Sequence, residues 1–433
     1  LYLQAKEIRK NALGETHPYY ATVLNNLAAL YKGIGQYEKA ELLYIEATAI
    51  NRKALGETHP DYATNLHNLA NLYELMTQYE KAERLYIEAI AISKKVLGEK
   101  HPDYAGSMNN LGILYSKMGQ PEKSEPLYLK AISIRKELLG ESHPEYANVL
   151  NNLGVLYKSK GQYAKAESLF ILTSSIFKKV LGESHTSYAT SLDNMALLYA
   201  SMGQHAKAEP LLLQNSQIVL KNLLSNFTIL SEKEKGTYFT NTISLLNINN
   251  SFIYNYRKAS PSTLQNNFNQ QLIFKSLILA DSRNVLGFVQ NSKDTILQRL
   301  LKDWQANKNI LSKQYSLSIS DRRIDIKQVE NTTESLEKEL NRKSSEFRNQ
   351  QNTVRISLKD VQKNLQKDEV AIEFVSFDLF NKKWTDSVLY VAYILTKNDY
   401  VPIFVPLCEE KQLQKLLDQH VTTEEIIRLA KVA

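Results

Sequence analysis

The chain has 433 residues, a net charge of +7, 43% apolar and 23% charged side chains, and a single cysteine. That length exceeds one compact core and calls for two or three domains, while the absence of any run of 18 apolar residues argues against a membrane span. One thiol excludes an intrachain disulfide framework and fits a reducing, cytoplasmic setting.

The chain opens on "LYLQAKEIRK", which is already amphipathic and carries no secretory signal. Leu1-Tyr2 align with Leu43-Tyr44, so residues 1–12 read as the second helix of a repeat whose first helix is missing. The expectation is an array that was longer at its N-terminus. "LGETHP" from Leu13 then returns from Leu55, as "LGEKHP" from Leu97, "LGESHP" from Leu139 and "LGESHT" from Leu181, in steps of 42 residues. Between these marks Leu24, Leu27, Ala28 and Tyr31 fall at i, i+3, i+4 and i+7 and predict a helix, A. Gly35 breaks the pattern, and Ala40, Leu43, Tyr44, Ala47 and Ile50 predict a second helix, B. Gly14, Gly56, Gly98, Gly140 and Gly182 stand where left-handed C-caps belong. Pro18, Pro60, Pro102 and Pro144 stand where a helix opens without needing an N–H. Helix pairs at a fixed period predict a solenoid, each pair burying its face on its neighbours.

Two charged columns invite other readings. Lys10, Arg52, Lys94, Lys136 and Lys178 each close a helix B, where a cation complements the helix dipole; this explains the excess charge better than a nucleic-acid surface does. His17, His59, His101, His143 and His185 recur with Glu15, Glu57, Glu99, Glu141 and Glu183. Metal ligands must converge on one point, whereas these come one set per repeat, so a cap or turn role is expected and no metal.

"HPYYATVLNNLAALYKGIGQYEKAELLYIEATAI" resembles a tetratricopeptide repeat of the 42-residue kind found in kinesin light chains, and the resemblance runs from residue 1 to about 222. It implies a right-handed superhelix whose concave groove, lined by helices A, binds peptides or partner proteins. On the polar side of helix A, Asn26, Asn68, Asn110, Asn152 and Asn194 form one column and Asn25, His67, Asn109, Asn151 and Asp193 its neighbour. Asparagine is a mediocre helix former. A ladder of it suggests amides that pair with an extended peptide backbone; the alternative is amides that only tie neighbouring repeats together. The candidate groove comprises Asn25, Asn26, Lys32, His67, Asn68, Asn71, Asn109, Asn110, Asn148, Asn151, Asn152, Lys158 and Asn194. The column Lys32, Glu74, Ser116, Lys158 and Ala200 is mixed in sign and implies no preference for a strongly acidic peptide.

The period is lost after residue 222, and of 15 glycines only Gly236 and Gly287 lie beyond it. A capping box at Ser231 and Glu234 starts a helix to about Arg257, and Ser260-Pro261 starts another. Leu297, Leu301, Trp304, Leu311 and Tyr315 mark a third, and Leu336, Leu340 and Phe347 a fourth. Joined by the polar stretch 316–327, these two predict a long antiparallel hairpin. Ser357 and Asp360 cap a short helix. "EVAIEFVSFDLF" (369–380), "SVLYVAYILT" (387–396) and "YVPIFVPL" (400–407) then predict strands, followed by a helix in "EEKQLQKLLDQH".

That order, helical linker and then these strands, resembles CHAT proteins, in which a caspase-like domain follows tetratricopeptide repeats; the resemblance covers about 231 to 420. It implies a His–Cys dyad for thiolate attack on a peptide carbonyl. The sequence has no His-Gly dipeptide; His420 is followed by Val421, and Cys408 sits directly after the third expected strand, beside Glu409 and Glu410. No catalytic residue, cofactor motif or phosphate loop is therefore assigned.

The expected fold is mainly α: a repeat solenoid over 1–222, a helical linker over 223–356, and an incomplete caspase-like α/β segment over 357–433. The expected function is a regulatory or scaffold module whose groove takes a partner protein or extended peptide, with no nucleic acid and no membrane. The alternatives are a repeat-gated cysteine protease of which this is the non-catalytic half, and a cargo adaptor.

Overall fold

The computed structural model describes residues 2–33, 35–227, 232–256, 258–275, 294–315, 325–348, 356–381 and 383–418. They fall into two compact units, Leu1–Leu198 and Tyr199–Ala433.

The first unit is a stack of helical hairpins. A lone helix α1 (Tyr2–Leu13) precedes them. Row A consists of α2 (Pro18–Gly33), α4 (Pro60–Leu75), α6 (Pro102–Lys117), α8 (Pro144–Ser159) and α10 (Thr186–Ser201), the last running across the boundary between the units. Row B consists of α3 (Tyr37–Leu55), α5 (Tyr79–Leu97), α7 (Pro121–Leu139) and α9 (Tyr163–Leu181). Each row-A helix except α10 starts on the proline that the punctuation supplies. His17, His59, His101, His143 and His185 are the N-caps: each Nδ1 accepts the backbone N–H two residues on, at 3.1–3.2 Å. The basic column and the glutamate column meet as ion pairs, Lys10–Glu15, Arg52–Glu57, Lys94–Glu99, Lys136–Glu141 and Lys178–Glu183. They are exposed, so they fix the turn more than they stabilise it. Among the described residues no His, Cys, Asp and Glu group could hold a metal ion.

The core is columnar. Ala40, Ala82, Ser124 and Ala166 are fully buried and let the two helices of a hairpin approach, while Tyr44, Tyr86, Tyr128 and Phe170 fill the space beside them. Tyr73, Tyr115 and Tyr157 of row A pack between repeats. Their hydroxyls donate to Glu41, Glu83 and Glu125 of the preceding helix B at 2.8–2.9 Å. A lysine of row B lies over each ring, 4.8–5.0 Å from its centroid at Tyr73, Tyr115 and Tyr157.

The second unit begins with α11 (His205–Phe227) and α12 (Glu232–Asn255), then α13, whose described part is residues 261–275. Ser231 and residues 276–293 and 316–324, on which parts of the sequence expectations fall, lie outside the described residues. Leu297 and Leu301 near the start of α14 (Thr295–Tyr315) pack on Leu340 late in α15 (Ile326–Arg348), so the expected antiparallel pair is present. Helix α16 (Leu358–Asn364) opens with the expected box: the Asp360 carboxylate accepts the Ser357 backbone N–H at 2.9 Å and its hydroxyl at 2.6 Å.

Three antiparallel strands follow in the order β1 (Val370–Asn381), β2 (Lys383–Thr396), β3 (Ile403–Glu409), and then α17 (Glu410–Asp418). The strand boundaries differ from the sequence reading, most at the start of β2 and at both ends of β3, which runs from Ile403 instead of Tyr400. β2 starts at Lys383 because Lys383 and Trp384 pair back onto Asn381 and Phe380. β3 runs past Pro406 because the register slips there, Val391 facing Pro406 and Tyr390 facing Cys408; a bulge absorbs a residue that cannot donate to the ladder. Cys408 therefore lies inside β3, not after it. One face of the sheet buries Val375, Phe377, Val391, Tyr393 and Leu395 against Phe268 of α13 and Leu358 of α16. Asn247, Ser251 and Asn255 of α12 fasten the end of β1, through Asp378 and the backbone of Phe380, at 2.8–2.9 Å.

Candidate functional site

Row A presents its two polar columns side by side, and at every junction a rung joins them. The Asn68 amide nitrogen donates to Asn25 Oδ1 at 3.1 Å, Asn110 to His67 Nε2 at 2.9 Å, Asn152 to Asn109 Oδ1 at 3.0 Å and Asn194 to Asn151 Oδ1 at 2.9 Å. Each rung spans 43 residues, one repeat plus one position, because neighbouring row-A helices are staggered. The donor column is asparagine throughout. The acceptor column varies among Asn, His and Asp, all of which can accept. This was the signal available in the sequence for the direction of the ladder.

The rungs join into a longer relay in the middle repeats. Asn109 also donates to Asn110 Oδ1 at 3.0 Å, and His67 Nδ1 lies 3.0 Å from Ser107 Oγ. Since His67 Nε2 accepts from Asn110, its ring proton is on Nδ1 and points to Ser107. Burial holds His67 neutral, with its pKa pushed down to about 4. The edge of its ring meets Tyr86, with centroids 5.4 Å apart.

Beside the ladder, Lys32 Nζ donates to Asn71 Oδ1 at 2.7 Å. Burial lowers the Lys32 pKa and, against the pull of the Asp193 carboxylate, that of Lys158. Sequence reasoning overlooked one cluster here. Glu74 is only 6% exposed; it accepts Lys117 Nζ at 2.8 Å and the Tyr86 hydroxyl at 3.1 Å. A buried carboxylate held by a cation and a phenol is a rigid feature of this face. The mixed column containing Glu74 was its only trace in the sequence.

Of the candidate residues, Asn25, Lys32, His67, Asn68, Asn71, Asn109, Asn110, Asn151, Asn152, Lys158 and Asn194 lie half-buried along one strip of row A. Asn26 and Asn148 are exposed on the same helices. An amide nitrogen carries two donors and a rung uses one, so the strip retains hydrogen-bonding capacity toward solvent.

The second unit offers less chemistry. Cys408 is half-buried in β3, and burial raises its thiol pKa. His420 lies outside the described residues. No helix among the described residues is long and apolar enough to cross a membrane.

The tetratricopeptide repeat family model matches residues 1–53, 43–95, 61–137, 103–170 and 145–214. No curated protein matches the chain. Among solved structures the chain is similar to BtubC (BKLC) from P. vanneervenii, with 25% identity over 50% of this chain and 86% of that one and a TM-score of 0.43. It is similar to a Podosopora anserina chain of nearly identical TPR-like repeats assigned to the kinesin light chains, with 29% identity over 48% and 98% and a TM-score of 0.41. It is also similar to YrrB, a TPR protein with an unusual peptide-binding site, with 18% identity over 50% and 91% and a TM-score of 0.30.

Proposed function

Residues 1–214 being tetratricopeptide repeats, generally protein-interaction modules, we propose that this chain recognises a partner protein through an extended segment laid along row A. The observation that carries this reading is the strip of half-buried polar side chains, one amide-donating rung per repeat junction, with amide donors left over after the rungs are made. Extended peptide backbone repeats its own donors and acceptors, and a ladder of amides matches it without demanding particular side chains. Lys32, Lys158 and the Glu74–Lys117 pair add fixed charges of both signs.

Recognition is coupled to the C-terminal unit, which we read as the front part of a caspase-like domain of the CHAT kind. Support comes from the sheet. Its outer face carries Val370, Ile372, Phe374 and Ile403, each about half exposed or more, an apolar patch on an antiparallel sheet that a further layer would cover. The chain is a regulatory module on this reading, not the catalytic one.

Peptides selected from a random dodecamer display library against the full chain provide the test. Calorimetric titration of a selected peptide into the chain and into Asn68→Ala/Asn110→Ala/Asn152→Ala should show at least about 1 kcal/mol lost per backbone hydrogen bond removed. Circular dichroism should show the helices intact. Unchanged affinity in the triple variant would sink the reading.

A further inference from the structure

One position on row A changes character along the stack. Between the ladder and the charged column runs the sequence Ala29, Asn71, Ile113, Val155, Leu197, one residue per repeat. The first is exposed and the other four are half-buried. The second residue is polar and engaged, accepting Lys32 Nζ at 2.7 Å. The last three are aliphatic, on a helix face whose other columns are amides, hydroxyls and charges.

The core does not require them. The apolar side of these same helices is already filled by Leu111, Leu114, Leu153 and Leu156, all nearly inaccessible. An aliphatic side chain left partly in water beside unspent amide donors gains by being covered by another apolar group. In the first two repeats the surface beside this column carries Lys32, His67 and Glu74. This column is thus split: Ala29 and the engaged Asn71 on the first two repeats and an aliphatic shelf on the next three, with Lys117 and Lys158 beside the shelf.

We infer that the shelf Ile113–Val155–Leu197 sets specificity, selecting an extended partner segment with aliphatic side chains on one face over repeats three to five and polar side chains over repeats one and two. Alternation of side chains in an extended segment supplies such a face, since every second residue points the same way. This rests on the groove reading above; the ladder holds the backbone and the shelf chooses the side chains.

The test is the dodecamer display selection run on the full chain and on Ile113→Asn/Val155→Asn/Leu197→Asn, which gives the later repeats the residue of the second. Peptides selected by the unmodified chain should be enriched several-fold in Leu, Ile and Val at alternate positions of one half. The triple variant should lose that enrichment, and a peptide from the first pool should bind it about tenfold more weakly for each covered side chain. Because the triple variant could be destabilised, Asn71→Val provides the reverse experiment. It extends the shelf by one repeat and should add an aliphatic position to the selected pattern. Selected peptides without aliphatic enrichment, or enrichment that persists in the triple variant and does not extend with Asn71→Val, would overturn the shelf and leave the groove reading standing. Failure of the unmodified chain to select any peptide would overturn both.

Discussion

Thr77 holds a φ of +59°, at the turn between α4 and α5 where the other described repeats place Gly35, Gly119, Gly161 and Gly203 at +69° to +74°. A β-branched residue is strained in that region, and glycine is not. Thr77→Gly should therefore stabilise the chain by about 1 kcal/mol, the strain relieved outweighing the added freedom of the unfolded chain. A denaturant melt with a lower midpoint than the parent's would contradict this. His67 gives a second residue-scale expectation. Its folded pKa of about 4 lies below its ordinary 6.5, so the unfolded chain takes up the proton first. The stability His67 contributes is full above pH 6.5 and is lost as the pH falls toward 4. His67→Asn restores the residue that Asn25, Asn109 and Asn151 supply elsewhere, and should flatten that decline. Melts of both proteins at pH 7 and pH 4.5 measure it; an equal loss in the two would show that His67 is not responsible. The sequence made the columns visible, because a period of 42 aligns like with like. It did not show the partner of each column member. Periodicity tells which way a side chain faces, whereas the rungs depend on the stagger between helices that are 43 residues apart in the chain.

At the scale of the element, punctuation and core divide the work. Tyr115 is 8% exposed, donates to Glu83 and lies under Lys123. Tyr115→Ala should cost about 3 kcal/mol or more, by the precedent of buried aromatics. His101→Ala removes one N-cap acceptor and should cost at most about 1 kcal/mol. Melts that reversed this ranking would overturn the assignment of core and turn. Helices of the repeats were legible because three signals agreed: apolar spacing, proline at the start and glycine at the stop. Strand ends were less so. Lys383 and Trp384 lie outside the expected strand 387–396, and cross-strand pairing with Asn381 and Phe380 draws them into β2. The expected third strand ends at Leu407, one residue past Pro406, and the slip beside that proline lets β3 continue to Cys408 and Glu409.

Across the whole molecule, a repeat module precedes a unit that carries strands but, among its described residues, no assembled nucleophile. Burial raises the Cys408 thiol, which leaves it a weak nucleophile at neutral pH. The chain should cleave no member of a peptide library, and Cys408→Ala should change nothing; cleavage abolished by that substitution would recast the chain as a protease. The central claim is that row A is the recognition surface. Hydrogen exchange of the full chain, with and without a display-selected peptide, tests it most directly. The account predicts added protection in α4, α6 and α8, with α5, α7, α9 and the β-sheet unaltered. Protection confined to row B or to the second unit would contradict it.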